Sequence, residues 1–184
     1  MSAATIGIRI GGEAGQGVIL AGVILAEAAA AQGSHVAQSA RYGAAVRGGE
    51  CTADMVVSSE PIDFPHVEEP DHLVVLSQET YDRLAPAQRP GTLVIYDPFF
   101  VTARDLAGVR QVRLAATDTA IRELGSAQGA NLIVLGALAE LTGAIREESI
   151  VAALDRNMSR KHRQANLKAI ALGREMARAA GADA

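Results

Sequence analysis

The chain has 184 residues, enough for one domain with a substantial core, and its net charge of −4 argues against nucleic acid as the main partner. Aromatic residues make up only 3% of the chain, so the core must be aliphatic and base stacking on aromatic platforms is not expected. The single cysteine, Cys51, excludes an internal disulfide, and it excludes an iron–sulfur or zinc–thiolate site built from this chain alone. We expect Cys51 to be a packed core residue rather than a nucleophile, because free cysteines are usually buried.

The sequence shows no sign of export or membrane insertion. The N-terminus lacks the positive region of a signal peptide, and the apolar run over 18–31 is too short and glycine-interrupted for a membrane span. A lone cysteine also suits a reducing compartment. These features predict a cytoplasmic protein without a membrane partner.

The first third of the chain changes between strand and helix patterns. Alternating isoleucines predict a first strand over 5–10, and an alanine-rich apolar run predicts a helix over 18–32 that Gly33 ends. Because this helix has so little polar surface, we expect it to be covered on more than one side. The next predicted elements are a short strand over 34–39, a loop rich in glycine and arginine over 41–49, and a half-buried alternating strand over 50–58.

The rest of the chain passes from buried strands to helices. Continuous apolar runs predict strands over 72–77 and 92–96, and a polar-flanked strand covers 109–114. Helices are predicted over 79–84, 117–124, 132–141, 147–156 and 160–180. Their predicted N-caps are Ser77 for the first, Thr117 or Asp118 for the second, Asn131 for the third and Ser159 for the last. The order predicts an α/β fold: a single Rossmann-like domain over 1–184, with a mostly parallel sheet flanked by helices and a helical C-terminal part.

A glycine-rich turn joins the first strand to the first helix. Glycine adopts positive φ without a Cβ, and a helix N-terminus offers unpaired N–H groups, so this turn can hold a phosphate or carboxylate. Gly12, Ala14 and Gly17 match the G-x-G/A-x-x-G spacing of dinucleotide-binding turns. The acid that such folds place about 20 residues later is missing, since no Asp or Glu occurs between Glu27 and Glu50. A turn that serves only packing therefore stays open as the alternative.

A second candidate site is the stretch 42–49, part of the loop over 41–49 in which Arg41 and Arg47 stand among glycines. Arginines on such a loop bind anions bidentately, but arginine and tyrosine are also favoured at subunit interfaces, and a solvated loop is a third interpretation. We rank the interface first, because the charge-poor first helix and the apolar helical tail suggest covered surfaces.

The other polar side chains form no recognisable catalytic set. The basic run over 156–163 is either a solvated face or a surface that attracts a polyanionic ligand or an acidic partner. The four histidines are scattered without metal-ligand spacing, and no nucleophile–base pair or carboxylate pair stands out. From its residues alone, the chain lacks a self-contained catalytic apparatus.

Several stretches together match the pattern of one family. They are 12–18 (GEAGQGV), 38–43 (QSARYG), 46–49 (VRGG), 57–62 (VSSEPI), 70–71 (PD) and 166–169 (NLKA). In this order and spacing, over nearly the whole chain, they resemble the gamma subunit of the 2-oxoacid:ferredoxin (acceptor) oxidoreductases. One departure is Ala14, where the family turn commonly reads Gly-x-Gly-Gly-Gln-Gly. The turn keeps its shape if Ala14 has a negative φ.

The resemblance implies a subunit of a thiamine-diphosphate enzyme that oxidatively decarboxylates a 2-oxoacid with coenzyme A to acyl-CoA and carbon dioxide. It places thiamine diphosphate and Mg²⁺ between alpha and beta partner subunits, and [4Fe-4S] clusters in the beta subunit and often in a ferredoxin-like delta subunit. Ferredoxin or another acceptor, such as NAD, would take the electrons from these partners. This chain would contribute no catalytic residue and no metal ligand, and would support assembly and the coenzyme A side of the site. The candidate cofactor-binding residues are Gly12, Gly15, Gln16, Gly17, Arg47, Gly48 and Gly49.

Two questions stay open at this point. The competing hypothesis to an enzyme subunit is a stand-alone Rossmann-type nucleotide-binding regulatory module. Within the family, the 2-oxoacid could be 2-oxoglutarate, pyruvate, a branched-chain acid or an aromatic acid, and the stretch 60–65 (EPIDFP) looks most like the 2-oxoglutarate branch. If the chain is the enzyme subunit, we expect the glycine turn over 12–17 to serve mainly fold and assembly, with the phosphates of coenzyme A as its expected anion.

Overall fold

The computed structural model of the protein describes residues 5–43 and 49–182. The strands in these ranges are β1 (Thr5–Glu13), β2 (His35–Tyr42), β3 (Glu50–Ser58), β4 (His72–Val75), β5 (Leu93–Tyr96) and β6 (Arg110–Arg113). They form one sheet in the order β2-β3-β1-β4-β5-β6. Only β3 runs against the others, antiparallel to both β1 and β2, while β1, β4, β5 and β6 pair in parallel. The predicted mostly parallel sheet is confirmed.

Helices cover the two faces of this sheet unequally. They are α1 (Val18–Ala31), α2 (Gln78–Leu84), α3 (Ala116–Leu124), α4 (Ala130–Thr142), α5 (Glu147–Asn157) and α6 (Arg163–Ala182). The main core joins one face of the sheet to α1, α3, α4, α5 and α6. A smaller core lies on the other face, where Tyr81 and Leu84 of α2 pack against β4 and β5. Among the described residues, each helix is too short or too polar to span a lipid bilayer.

The strand β3 is buried along both faces, whereas its alternating sequence predicts a half-buried strand. On one face α1 lies close, with Gly22 directly over the side chain of Ala53. On the other face the guanidinium of Arg9 donates to both carboxylate oxygens of Asp54, at 2.6 and 2.8 Å. The half-buried prediction is wrong because an ion pair, rather than solvent, satisfies the polar face of this strand.

The strand β2 is longer than predicted. It continues through Arg41 to Tyr42, which pairs with Cys51 of β3, although the sequence placed both residues in a loop. Most of β2 is exposed, since it forms one edge of the sheet. An edge strand with polar side chains on both sides gives little periodic signal, which explains the early end of the prediction.

Two serine caps lie where the sequence predicts them. Ser77 begins α2, and its Oγ accepts from the amide of Thr80 at 3.3 Å. Ser159 accepts from the amide of Lys161 and starts the 3₁₀ turn Arg160–His162, which leads directly into α6.

Two other predicted caps are wrong. Thr117 and Asp118 both lie inside α3, which begins after Ala115. The N-cap position is Ala115, whose side chain cannot accept a hydrogen bond from the helix. Asn131 lies inside α4, which begins after Gly129 because a preceding 3₁₀ turn moves its start upstream. The side chains of Thr117, Asp118 and Asn131 therefore do not cap these helices, and Thr117 and Asn131 make longer-range contacts instead.

Candidate functional site

The carboxyl ends of β1, β4 and β5 meet at one edge of the sheet, and a crevice of about 470 Å³ opens there. The chain leaves β1 toward β2 on one side and leaves β4 toward β5 on the other, so the crevice lies where the strand order reverses. Open α/β sheets usually bind their ligands at this position. The glycine turn, Leu20, Leu76, Phe100 and Asn131 contribute to its walls.

The glycine turn contains two residues in the left-handed region of backbone conformations. Gly15 and Gly17 have φ values of 102° and 76°, in the left-handed region that favours glycine. No other residue type in the described chain has positive φ, so Ala14 keeps the turn, as predicted for a negative φ. Gly17 is the N-cap of α1 and supplies no side-chain acceptor, which leaves the first-turn N–H groups of α1 without a side-chain cap.

The side chain of Gln16 is used to build the turn. Its Oε1 accepts from the amide of Glu13 at 2.7 Å, and its Nε2 donates to the carbonyl of Leu76 at 2.6 Å. The first contact closes the turn and the second ties it to the end of β4. Both ends of the amide are therefore engaged within the protein, which favours a positioning role for Gln16.

The structure brings Gly49 from the second candidate stretch to the glycine turn. The amide of Ala14 donates to the carbonyl of Gly49 at 2.9 Å, and Gly12 pairs with Cys51 in the neighbouring strand. Arg47 and Gly48 lie outside the described residues. The two stretches that the sequence singled out separately thus meet at one end of the sheet.

Asn131 is a site residue that the sequence assigned only as a helix cap. Its Nδ2 donates to the carbonyl of Gly17 at 3.4 Å, and its Oδ1 is buried without a hydrogen-bond partner among the described residues. A Cβ added at position 17 would collide with the Asn131 amide. Asn131 therefore packs directly against the start of α1 and holds Gly17 in place.

Asp97, which follows β5, is buried, and its carboxylate accepts three hydrogen bonds from protein donors. Its Oδ2 accepts from the amide and the hydroxyl of Thr117, at 2.8 and 2.6 Å, and thereby caps α3. Its Oδ1 accepts from the amide of Phe99 at 3.0 Å. Although Asp97 lines the crevice, it is only 1% exposed and its carboxylate fixes the start of α3 and the turn at Phe99, so it is not presented as an exposed acceptor for a ribose diol.

A second cavity, of about 360 Å³, lies between α2 and the ends of β2 and β3. Arg41 and Tyr42 line it, and Arg41 donates to Asp54 at 3.1 Å while its side chain stays 67% exposed. Cys51 lies at the same place and is 4% exposed, which confirms it as a packed residue. Burial raises the pKa of the Cys51 thiol, so the thiol stays protonated at neutral pH.

The basic run over 156–163 is partly neutralised. Arg163 donates to both carboxylate oxygens of Asp155, and this contact holds the pKa of Asp155 below its ordinary value. Arg156 pairs with Glu27 on α1. Within the described ranges no carboxylate pairs with Arg160 or Lys161, so both the solvated and the anion-attracting interpretations stay open.

Comparison with known proteins shows one family along almost the whole chain. Residues 7–176 match the family model described as pyruvate ferredoxin/flavodoxin oxidoreductase. The 2-oxoglutarate synthase subunit KorC of Archaeoglobus fulgidus is 40% identical, over 94% of this chain and 88% of that protein. The ketoisovalerate oxidoreductase subunit VorA of Methanothermobacter thermautotrophicus is 35% identical over 93% of this chain, which spans only 36% of VorA.

Solved structures agree with this match. A keto/oxoacid ferredoxin oxidoreductase gamma subunit from Geobacter sulfurreducens superimposes with a TM-score of 0.86 and 32% identity, covering 97% of this chain and 99% of that one. A 2-oxoglutarate:ferredoxin oxidoreductase from Magnetococcus marinus, solved with 2-oxoglutarate, coenzyme A and succinyl-CoA bound, gives a TM-score of 0.88 and 28% identity, with 95% of this chain matched to 31% of that one. The chain therefore belongs to the pyruvate ferredoxin/flavodoxin oxidoreductase family, as a gamma-type subunit of a 2-oxoacid:ferredoxin oxidoreductase.

Proposed function

We propose that this gamma subunit supports the coenzyme A side of a cytoplasmic complex that converts a 2-oxoacid and coenzyme A to acyl-CoA and carbon dioxide. Thiamine diphosphate, Mg²⁺ and [4Fe-4S] clusters would be held by alpha, beta and possible ferredoxin-like delta partners. The single cysteine supports this division, since a [4Fe-4S] cluster takes four thiolates. When bound by the partners, thiamine supplies the chemistry of decarboxylation, and this chain supplies position and charge complementarity.

One observation carries the proposal: the uncapped N-terminus of α1 lies on the wall of the crevice. Unpaired N–H groups and the positive end of the helix dipole favour a phosphate there. The left-handed Gly15 and Gly17 let a ligand approach the backbone closely. The crevice also has room for more than a phosphate. These features fit the phosphorylated end of coenzyme A, with Gly12, Gly15 and Gly17 shaping the contact and Gln16 holding the turn.

The test compares two glycine substitutions with similar backbone strain. Gly15 and Gly33 both have positive φ and open space where a Cβ would be added, but only Gly15 lies on the crevice. In the assembled complex we expect Gly15→Ala to raise KM for coenzyme A about fivefold, equivalent to about 1 kcal/mol of binding. Gly33→Ala, at the far end of α1, should leave KM unchanged. Equal KM values for both variants would overturn the assignment of coenzyme A to this turn.

We further propose that Arg47, Gly48 and Gly49 face the partner subunits or the coenzyme A channel. The bond from Ala14 to Gly49 supports this, because it fixes one end of the stretch beside the glycine turn. Arg47→Ala should weaken assembly, seen in native mass spectrometry, or raise the apparent coenzyme A requirement. A variant complex that assembles and turns over like wild type would show that Arg47 has neither role.

For the 2-oxoacid we propose 2-oxoglutarate. Relatives named 2-oxoglutarate synthase subunit match this chain at 34–40% identity over most of both lengths, which supports that branch. The purified complex should form succinyl-CoA faster than acetyl-CoA or branched acyl-CoA when the three 2-oxoacids are supplied in parallel. A higher kcat/KM for pyruvate or a branched-chain acid would contradict this assignment.

A further inference from the structure

We propose that Phe100 is the residue against which the adenine ring of coenzyme A stacks. The proposal rests on the proposed function and deepens it, because it assigns a part of coenzyme A to the crevice wall beside the glycine turn. Phe99 and Phe100 follow β5 and are 50% and 42% exposed, in a chain with only three phenylalanines. Of these two rings, only Phe100 lines the crevice.

The backbone around Phe100 is held firmly, so its ring is presented without a large ordering cost. The amides of Phe100 and Val101 donate to the carbonyl of Asp97 at 3.2 and 3.0 Å, and Asp97 is itself fixed on Thr117. Val101 is buried and anchors the far side of this turn. The ring of Phe99 meets that of Phe100 edge-on, with centroids 4.9 Å apart and planes at 67°. A half-exposed ring in a fixed position is a suitable stacking surface.

The other walls of the crevice define the class of ligand. Leu20, Leu76 and Met158 add apolar surface, and the start of α1 adds an anion-favouring end. A flat apolar ring linked to phosphates matches both features. Asp97 is buried and its carboxylate caps α3, so the crevice does not present it as an exposed acceptor for a ribose diol, which suits the 3′-phosphorylated ribose of coenzyme A better than the free diol of NAD.

The experiment uses the assembled complex and a pair of alanine variants, Phe100→Ala and Phe64→Ala, because Phe64 is also an exposed ring, at 57%, but does not line the crevice. Base–aromatic stacking predicts that Phe100→Ala raises KM for coenzyme A about tenfold with little change in kcat. Phe100→Tyr, which keeps the ring, should restore the wild-type value, and Phe64→Ala should leave it unchanged. With 4′-phosphopantetheine, which lacks the adenosine, Phe100→Ala and wild type should have the same kcat/KM.

Four results would overturn the assignment of Phe100. These are equal effects of the two alanine variants, an equal loss with 4′-phosphopantetheine, failure of Phe100→Tyr to restore KM, and failure of the Phe100→Ala complex to assemble, which would make the ring a partner contact. Competition by 3′,5′-ADP provides a second readout, since Phe100→Ala should weaken it and AMP should compete less well than 3′,5′-ADP against wild type. If Gly15→Ala raises KM and Phe100→Ala does not, the phosphate assignment stands and the adenine assignment fails. If neither variant changes KM, both assignments fail.

Discussion

The side-chain nitrogen Nε2 of Gln16 donates to the carbonyl oxygen of Leu76 at 2.6 Å, which ties the turn after β1 to the end of β4. The same side chain accepts from the amide of Glu13. Gln16→Ala would leave both backbone groups without their partner, so we expect a loss of about 1–3 kcal/mol in the free energy of unfolding. Urea unfolding of the full chain measures this. Gln128→Ala is the matched control, because Gln128 also lines the crevice but is exposed and should cost little.

The contact between Gly17 and Asn131 gives a second prediction. Gly17→Ala introduces a Cβ at a φ of 76° and against the Asn131 amide, so we expect a loss of about 1–3 kcal/mol in stability. In an Asn131→Ala background the collision is removed and only the backbone strain remains. A double-mutant cycle on thermal unfolding should therefore give a coupling energy of about 1 kcal/mol. Strictly additive changes in unfolding free energy would show that a Cβ at position 17 does not clash with the Asn131 side chain.

Two arginines on one carboxylate give a third prediction. The side chains of Arg9 and Asp54 are 11% and 4% exposed, whereas that of Arg41 is 67% exposed. Asp54→Ala would leave the buried Arg9 charge unpaired and should cost about 3–5 kcal/mol. Arg41→Ala removes only a solvent-screened pair and should cost at most about 1 kcal/mol. Denaturant midpoints for both variants measure these losses. Similar losses of stability in the two variants would contradict the unequal burial of the two ion pairs.

The burial of His72 leads us to predict that the stability of the fold depends on pH. Burial lowers the pKa of His72 from its ordinary value of 6.5, and its Nδ1 has no hydrogen-bond partner among the described residues. The unfolded chain therefore binds a proton at this histidine more readily than the folded chain. Stability should fall as pH drops from about 7 to about 5, because the unfolded state gains protons first.

Replacing His72 by Gln should flatten this part of the stability curve. His162→Gln is the control, since His162 is exposed in the 3₁₀ turn before α6. Urea midpoints measured at several pH values give the comparison. If both variants keep the wild-type slope, the pH dependence has another source.

Local sequence patterns were sufficient where the structure depends on neighbours in the chain. The apolar run of α1 and the alternation of β3 predict those elements to within a residue, and Ser77 is the cap that the sequence indicates. The sequence also predicts the glycine turn, because its positive φ values occur at positions 15 and 17, where glycine allows them. Each of these features follows from periodicity or from the allowed φ values of single residues.

The sequence did not predict features that depend on distant partners. Asn131 precedes an apolar run and so resembles an N-cap, but its amide contacts Gly17, which is 114 positions away. Asp97 looks like an ordinary turn acid, yet its second oxygen caps α3. The low aromatic content argued against stacking, but composition cannot show that Phe100 stands on the crevice wall. Such contacts are set by how the layers pack.

The antiparallel strand β3 has a consequence for nucleotide selectivity. In dinucleotide-binding sheets, the strand that follows the first helix lies next to β1, and an acid at its end reaches the ribose. Here β3 separates β1 from β2, which puts the end of β2 two strand spacings, roughly 10 Å, from β1. An acid introduced at Tyr42 would therefore not recreate a ribose contact. The turn itself would contact only the anionic group of a ligand, and discrimination among ligands would have to come from the crevice walls, including Phe100, and from the neighbouring subunits.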